Sequence, residues 1–525
     1  MRLVSTFALL LATAAALFAA WMHPQIIDPH NIGWLLDGND RGQSAIGLAA
    51  YLAGGAWPSL HNPMLLAPDG TSLLLTDSIP LLGLLLGPFA GWLPPGVQFV
   101  GAWLAICVVL QVVFAWALVR PQAPDGLAAW FGTVLLAAMP MLFNRYGHAS
   151  LCAQWLILWA LWVYVEPRRA ARPLLWLAVL GVAALVHSYL LLMVASIWGG
   201  SLLRRLAQGA AARVLGEGVA LSALVALLLA GQGAFGGSFE STGTYGAFPM
   251  ALDAWWNPAN PSYSAILPSS PEDRGRGYEG LQYLGAGLIA LVLLALATRR
   301  GPVQSLSWLV PGFAVVAVVA IGPAPILWGK PVAVLALPAW IIDALDPVRA
   351  SGRLFWPVTY TLAYAAIISV LALPRAAILL AAATAVQGVD LAPMVAAIRA
   401  TSARADDRTI FRRARDPRWP ALIAAARRVD FTPAESTIDA AVLQEVTWRA
   451  VLARRPVGFT YTARVPVSAR RRLAGARADV ERGIVPVGDL VIVQDGKLPA
   501  RLPPALRRRV QRIDGVTVIA AQRGR

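Results

Sequence analysis

Long apolar runs, broken by short basic loops or long aromatic-rich ones, fill the first 393 positions. Several approach or exceed the roughly 20 residues that cross a bilayer. Oriented by Lys and Arg, which favour the cytoplasmic side, the pattern predicts an all-α polytopic membrane protein with about eleven helical crossings. The run 3–22 leads outward as an uncleaved anchor. The runs 97–119, 127–143 and 151–165 then alternate, the last ending at Arg168, Arg169 and Arg172. The 31-residue run 173–203 has basic residues at both ends, which predicts a hairpin with its tip at His187. Further spans are expected at 214–230, 284–298, 307–322, 353–373 and 376–391. Three long segments, 23–96, 231–283 and 323–352, are then external. Within the first, 79–93 is short and holds Pro80 and Pro88, so it reads as a re-entrant or surface-lying helix.

From 394 the character changes. Apolar runs shorten to "DLVIVQD" and "GVTVIAA", which read as buried strands, beside amphipathic helices in "WPALIAAARRV" and "AAVLQEVTWRAVLARR". A small soluble α/β domain over 394–525, on the external face, is expected. Charge concentrates there. Of 44 basic and 28 acidic residues in the chain, 25 and 12 lie in 401–525. On a membrane-anchored chain such a basic tail points to anionic lipid head groups, not to nucleic acid. The placement is that of a multi-pass membrane protein with its N-terminus inside and its C-terminal domain outside. The two cysteines, Cys107 and Cys152, sit in apolar runs and support no disulfide framework.

Chemistry is sparse, so its positions are informative. Asp28, Asp37, Asp40, Asp69 and Asp77 all fall in the first external segment. In "TDSIP", Thr76, Asp77 or Ser78 could cap a helix whose first turn holds Pro80. Asp37 and Asp40 sit beside the first span, where a base acting on a lipid-linked substrate must be. Arg349 and Arg353 in "DPVRASGRLFWP" suit a bidentate phosphate clamp or a membrane-surface anchor; Arg145 in "FNRYGH" is a second cation. The histidines have no ligand spacing, so no metal site is assigned. No phosphate-binding loop, zinc-protease motif or nucleophile elbow occurs.

In order along the chain come "NIGWLL", Asp40 and Gln43, "TDSIPLLGLLLGPF", "QFVGAWLAICVVLQVVFAWAL", "NRYGHASLCAQWLIL", "HSYLLLMV", "YEGLQYLGAG" and "RASGRLFWP". Together these resemble a bacterial family of multi-pass membrane proteins of undetermined activity, placed with the type C glycosyltransferase-like (GT-C) fold. The resemblance covers most of the chain, tail included. It implies transfer of a sugar from a polyprenyl-phosphate-linked donor to an acceptor on the periplasmic face, with inversion. It implies a catalytic acid in the first external loop, matched best by Asp40, with Asp37 as its neighbour and Asp77 as the alternative. Arg353, Arg349, Arg145, His148, Gln43 and Glu279 form the expected substrate- and phosphate-binding set. No cofactor is assigned, and a divalent cation is the one left open. Gln43 is followed by Ser44, where the resemblance leads one to expect a histidine. The rival readings are a transporter or flippase of lipid-linked sugars, and a non-catalytic lipid-binding scaffold on the same fold.

Overall fold

A computed structural model describes residues 2–235, 241–270, 274–298, 303–498 and 502–522. Its larger part is a helical bundle. Among the described residues six helices are long and apolar enough to cross a membrane: Val4–Trp21, Val100–Gln122, Ser188–Ala207, Ala211–Gly231, Ser351–Leu371 and Ala376–Ala400. This marks a membrane protein. Six more apolar helices are shorter: Pro80–Phe89, Gly126–Ala137, Ala149–Val165, Pro173–Val186, Ala286–Thr298 and Ser307–Ile321. Proline explains some of the shortening. The predicted run 127–143 breaks after Ala137, and Pro140 starts a separate turn, because the residue before a proline is pushed out of the helical region.

The run 173–203 folds back on itself. Helix α1 (Pro173–Val186) ends at His187, whose backbone is extended (φ −165°, ψ 136°), and α2 (Ser188–Ala207) begins immediately after it. The far ends of both helices meet at one place. Trp176 Nε1 donates to the Ala170 carbonyl at 3.0 Å, Arg204 to that of Tyr164 at 2.9 Å, and Arg205 to Ala170 at 3.4 Å. His187 therefore lies at the tip, at the opposite end of the bundle from Arg168–Arg172.

Helix α3 (Ala376–Ala400) runs nine residues past the expected end at 391, straight through Pro393. Its buried Asp390 accepts from Tyr283 Oη at 2.6 Å and from the Ala286 amide at 2.9 Å. The carboxylate thus serves the start of the helix at Ala286, where such a charge is favoured. Inside the bundle Gln111 donates to Tyr360 Oη and Tyr360 to Gln154, both at 2.8 Å. Gln282 joins Thr359 and the Gly352 carbonyl, also at 2.8 Å. Paired polar groups of this kind are what an apolar surround permits.

The C-terminal part is a four-stranded sheet with helices. Strands β1 (Arg428–Thr432), β2 (Asp489–Val493), β3 (Val510–Ile513) and β4 (Val516–Ile519) lie in the order β1-β2-β4-β3. The β1–β2 pair is parallel, with Val429 opposite Leu490, and the other pairs are antiparallel. The two strands and two helices expected from sequence are present, while β1, β3 and the helix Val467–Glu481 are additional. Val457 bridges β1 at Val429 and also bridges Leu65 of the first long loop. The sheet is thereby continuous with that loop.

Candidate functional site

Helix α4 (Asp40–Gly54) opens on Asp40, after Asn39 in an extended conformation. Its Gly47 has no room for a side chain, since a Cβ there would meet Ser78 Oγ at 2.1 Å and Thr76 Oγ1 at 2.5 Å. This close approach lays the helix of Asp40 directly on the turn that carries Asp77. The turn is further tied down by Ser78 Oγ, which donates to the Ser44 carbonyl at 2.8 Å. The capping expected of "TDSIP" is absent. Ile79 precedes the helix Pro80–Leu86 and no side chain caps it. Instead Asp77 adopts the left-handed conformation (φ 52°) and accepts from Ser150 Oγ at 2.8 Å.

Each acid meets a histidine. His148 Nε2 is 3.2 Å from Asp40 Oδ2, and His187 Nε2 is 3.6 Å from Asp77 Oδ1. Behind His148 stands a buried charge triad. Glu279 is gripped by Arg353 through Nε and Nη2, and by Arg145 Nη1 at 2.6 Å. Arg353 Nη2 also lies 3.3 Å from His148 Nε2, and Tyr278 Oη lies 3.3 Å from His148 Nδ1. A second glycine contact builds this arrangement. A Cβ on Gly352 would sit 2.6 Å from Gly280 Cα, so the residues beside Arg353 and Glu279 press backbone to backbone. Tyr189 and Tyr278 present ring faces to Arg353 and Arg145, 5.4 and 4.2 Å from the guanidinium carbons.

The site thus unites Asp40, Asp77, His148, Glu279, Arg145 and Arg353 of the expected set. Three expected members stand apart. Asp37 turns to Arg41, four residues on, in a buried ion pair that Arg41 extends to the Thr401 carbonyl at 2.9 Å. Gln43 is buried in α4, its Nε2 without a hydrogen-bond partner. Arg349 faces a separate cavity of about 210 Å³ with Thr242, Thr462 and Arg464, and forms no ion pair among the described residues. His187, Ser150, Tyr189 and Tyr278 join the site without having been assigned to it. The motif "HSYLLLMV" already held two of them. Tyr461 of the C-terminal domain also lies within electrostatic reach of Asp40 and Asp77.

Burial dominates the titration. Asp77 is pushed up to about 7 by burial, with the Asp40 charge adding and Ser150 opposing. Asp40 is raised by burial, against the pull of Arg353. Burial, with Arg353 beside it, holds His148 well below its ordinary value, so its imidazole is neutral. Between the ordinary aspartate value of 3.8 and about 7, folded Asp77 keeps a proton that the unfolded chain has lost. Stability therefore falls as pH rises through that window. Asp77→Asn should flatten this fall, so that the melting temperature drops less between pH 5 and pH 8 than in the parent; equal slopes would refute the raised carboxyl.

Among the described residues no group of three or more His, Cys, Asp or Glu side chains converges as a metal site does. Among the described residues the two acid–histidine pairs remain pairs.

A family model described as Domain of unknown function (DUF6311) matches residues 10–392, and another, the DUF6311 C-terminal domain, matches 418–521. The chain belongs to the DUF6311 family. No curated protein and no solved structure matches it. Both acid–histidine pairs and the charge triad lie in the part matched by the first DUF6311 model. Tyr461, Thr462 and Arg464 lie in the part matched by the C-terminal one. Both DUF6311 domains therefore lie beside the site, the C-terminal one through Tyr461.

Proposed function

We propose that this chain is a membrane glycosyltransferase of GT-C architecture. It transfers a sugar from a polyprenyl-phosphate-linked donor to an acceptor at the periplasmic face of a bacterial inner membrane. The observation that carries the reading is the pairing of Asp40 and Asp77 with neutral histidines beside Arg353, at the end of the bundle remote from Arg168–Arg172. Asp40 is the base because its side chain is 35% exposed, against 13% for Asp77. The acceptor oxygen attacks the anomeric carbon, and its proton passes to Asp40. The bond from that carbon to the phosphate oxygen breaks, the phosphate keeps the electron pair, and the anomeric centre inverts. A carboxylate whose pKa is raised toward the working pH suits this task. The leaving phosphate needs cations. Arg353 and Arg145 share one carboxylate, so the triad keeps a net positive charge. The deciding experiment is single-turnover transfer by purified protein from a radiolabelled polyprenyl-phosphate sugar; no product with any donor of this class removes the reading.

Eleven crossings follow if five of the six shorter helices also span, and the topology can be measured. Cys107 and Cys152 are buried, so background labelling is low. Single cysteines beside Asp40, Tyr263 and Gly515 should react with an impermeant thiol reagent in spheroplasts, while one beside Arg169 should not. Protection at Gly515 with labelling at Asp40 would move the basic domain, and its anionic lipid partners, to the other face.

Arg353 offers a separate test. It meets Glu279 through two nitrogens and His148 through one of them. Arg353→Lys keeps the charge but loses the planar fork, so donor use should weaken. Burial of Arg353 against Glu279 already removes the membrane-surface anchor expected as its alternative role; full activity of the lysine variant would leave it only as the counter-charge of Glu279.

A further inference from the structure

A second cavity, of about 440 Å³, opens beside the site. Ligand pockets commonly fall in the range of about 300–1,000 Å³. Three separate parts of the chain build it. The first long loop supplies Ser59, Thr71 and Ser72; the end of the helix Ala211–Gly231 leads into Gln232; and the helix Val467–Glu481 supplies Ser468. Leu75 also lines the cavity, two residues before Asp77, and its carbonyl accepts from the Ala463 amide at 2.8 Å. Cavity and Asp77 thus share one short segment of backbone, which Gly47 packs against the helix of Asp40.

The lining selects for hydroxyl groups. Thr71 and Gln232 are 3% and 2% exposed, yet Thr71 Oγ1 and Gln232 Oε1 have no hydrogen-bond partner. A buried polar atom left this way is destabilising, and a bound donor group would satisfy it. Charge selects further. The only acid on the wall, among the described residues, is Asp69, whose Oδ2 already accepts from Arg472 Nε at 2.7 Å. Its one imidazole, His61, is exposed. Among the described residues no unpaired cation faces the space, so a phosphate or other anion is poorly served, and none of them calls for a cation.

We propose that this cavity is an acceptor subsite and that the acceptor is a neutral carbohydrate, held by Thr71, Gln232 and the serine hydroxyls. As an acceptor site it rests on the transferase reading above; as a carbohydrate site it can be tested alone. Binding of glucose, mannose, galactose and N-acetylglucosamine, and of their short oligomers, is measured without donor by saturation-transfer NMR and by thermal shift in detergent. Inorganic phosphate is the anionic control. At least one saccharide should bind and phosphate should not. Thr71→Val keeps the shape but removes the hydroxyl, and should weaken binding about 3–10-fold, the value of one hydrogen bond. Ser468→Trp, at an exposed position, should block the cavity and abolish binding while leaving the fold intact. Absence of saccharide binding, binding of phosphate instead, or saccharide binding untouched by both variants each overturns the proposal. If saccharides bind and both variants weaken them, but no donor is ever turned over, the carbohydrate site stands and the transferase reading falls. If transfer proceeds and neither variant alters acceptor use, the transferase reading stands and this site falls.

Discussion

Asp40→Asn should reduce single-turnover transfer by about 10²–10⁴, the usual cost of losing a general base, with little change in melting temperature. Asparagine keeps the size of the side chain and can still hydrogen-bond His148. It cannot hold the acceptor proton. Asp40 is also the more exposed of the two acids, so its replacement removes little buried structure. Asp37→Asn should behave differently. Asp37 is spent on Arg41 in a buried pair, so its loss should lower stability more than chemistry. Parent-like turnover by Asp40→Asn would remove the base assignment. If Asp77→Asn alone abolished transfer without lowering the melting temperature, the base would be Asp77.

Glu279→Gln should be the most destabilising single change at the site. Among the described residues Glu279 is the one carboxylate that pairs with both Arg353 and Arg145, whose side chains are 7% and 1% exposed. Removing it leaves two guanidinium groups buried without their counter-charge, and breaking a buried pair typically costs about 3–5 kcal/mol. The effect has a pH signature. Burial pushes the Glu279 carboxyl up, but Arg353 and Arg145 outweigh it and hold it well below its ordinary 4.5. Such a group stabilises the fold above its ordinary value, and that contribution is lost as pH falls through the folded-state value. The gap in melting temperature between parent and Glu279→Gln should therefore be largest near neutrality and shrink in acid. A gap that is constant with pH would mean the loss is one of packing, not of charge.

Much of this was legible in the chain. The apolar runs gave the helices, because in a bilayer backbone polar groups are satisfied within each helix. The motif blocks held Asp40, Asp77, His148, Glu279 and Arg353, and the fold gathers them. What escaped was pairing. Asp37 and Arg41 stand at helical spacing across the start of α4, and such a pair is readable in principle; Asp37 was read as a helper of Asp40 instead. Asp77 was read as a possible cap, because a polar residue before a proline-led helix often is one. Only the contact with α4 shows it turned inward. The apolar run that predicts helix α3 ends at 391, where charged and small residues begin to alternate with apolar ones, yet the helix continues through Pro393 to Ala400. Strands β1 (Arg428–Thr432) and β3 (Val510–Ile513) are interrupted by charged and polar residues, so they lack the apolar run that marks β2.

The bridge from Leu65 to Val457 has a consequence for biogenesis. The Val457 amide donates to the Met64 carbonyl, and that of Ala463 to Leu75, so the turn leading to Asp77 is seated by residues almost four hundred positions later. Contacts of such separation form late in folding, after the entropy of closing the intervening chain has been overcome. A nascent chain halted between residues 187 and 457 would hold the residues of both acid–histidine pairs without the segment that seats the turn of Asp77. The site can therefore be complete only once the C-terminal domain has come to lie on the same side of the membrane as the first loop, which couples the onset of function to the end of membrane assembly.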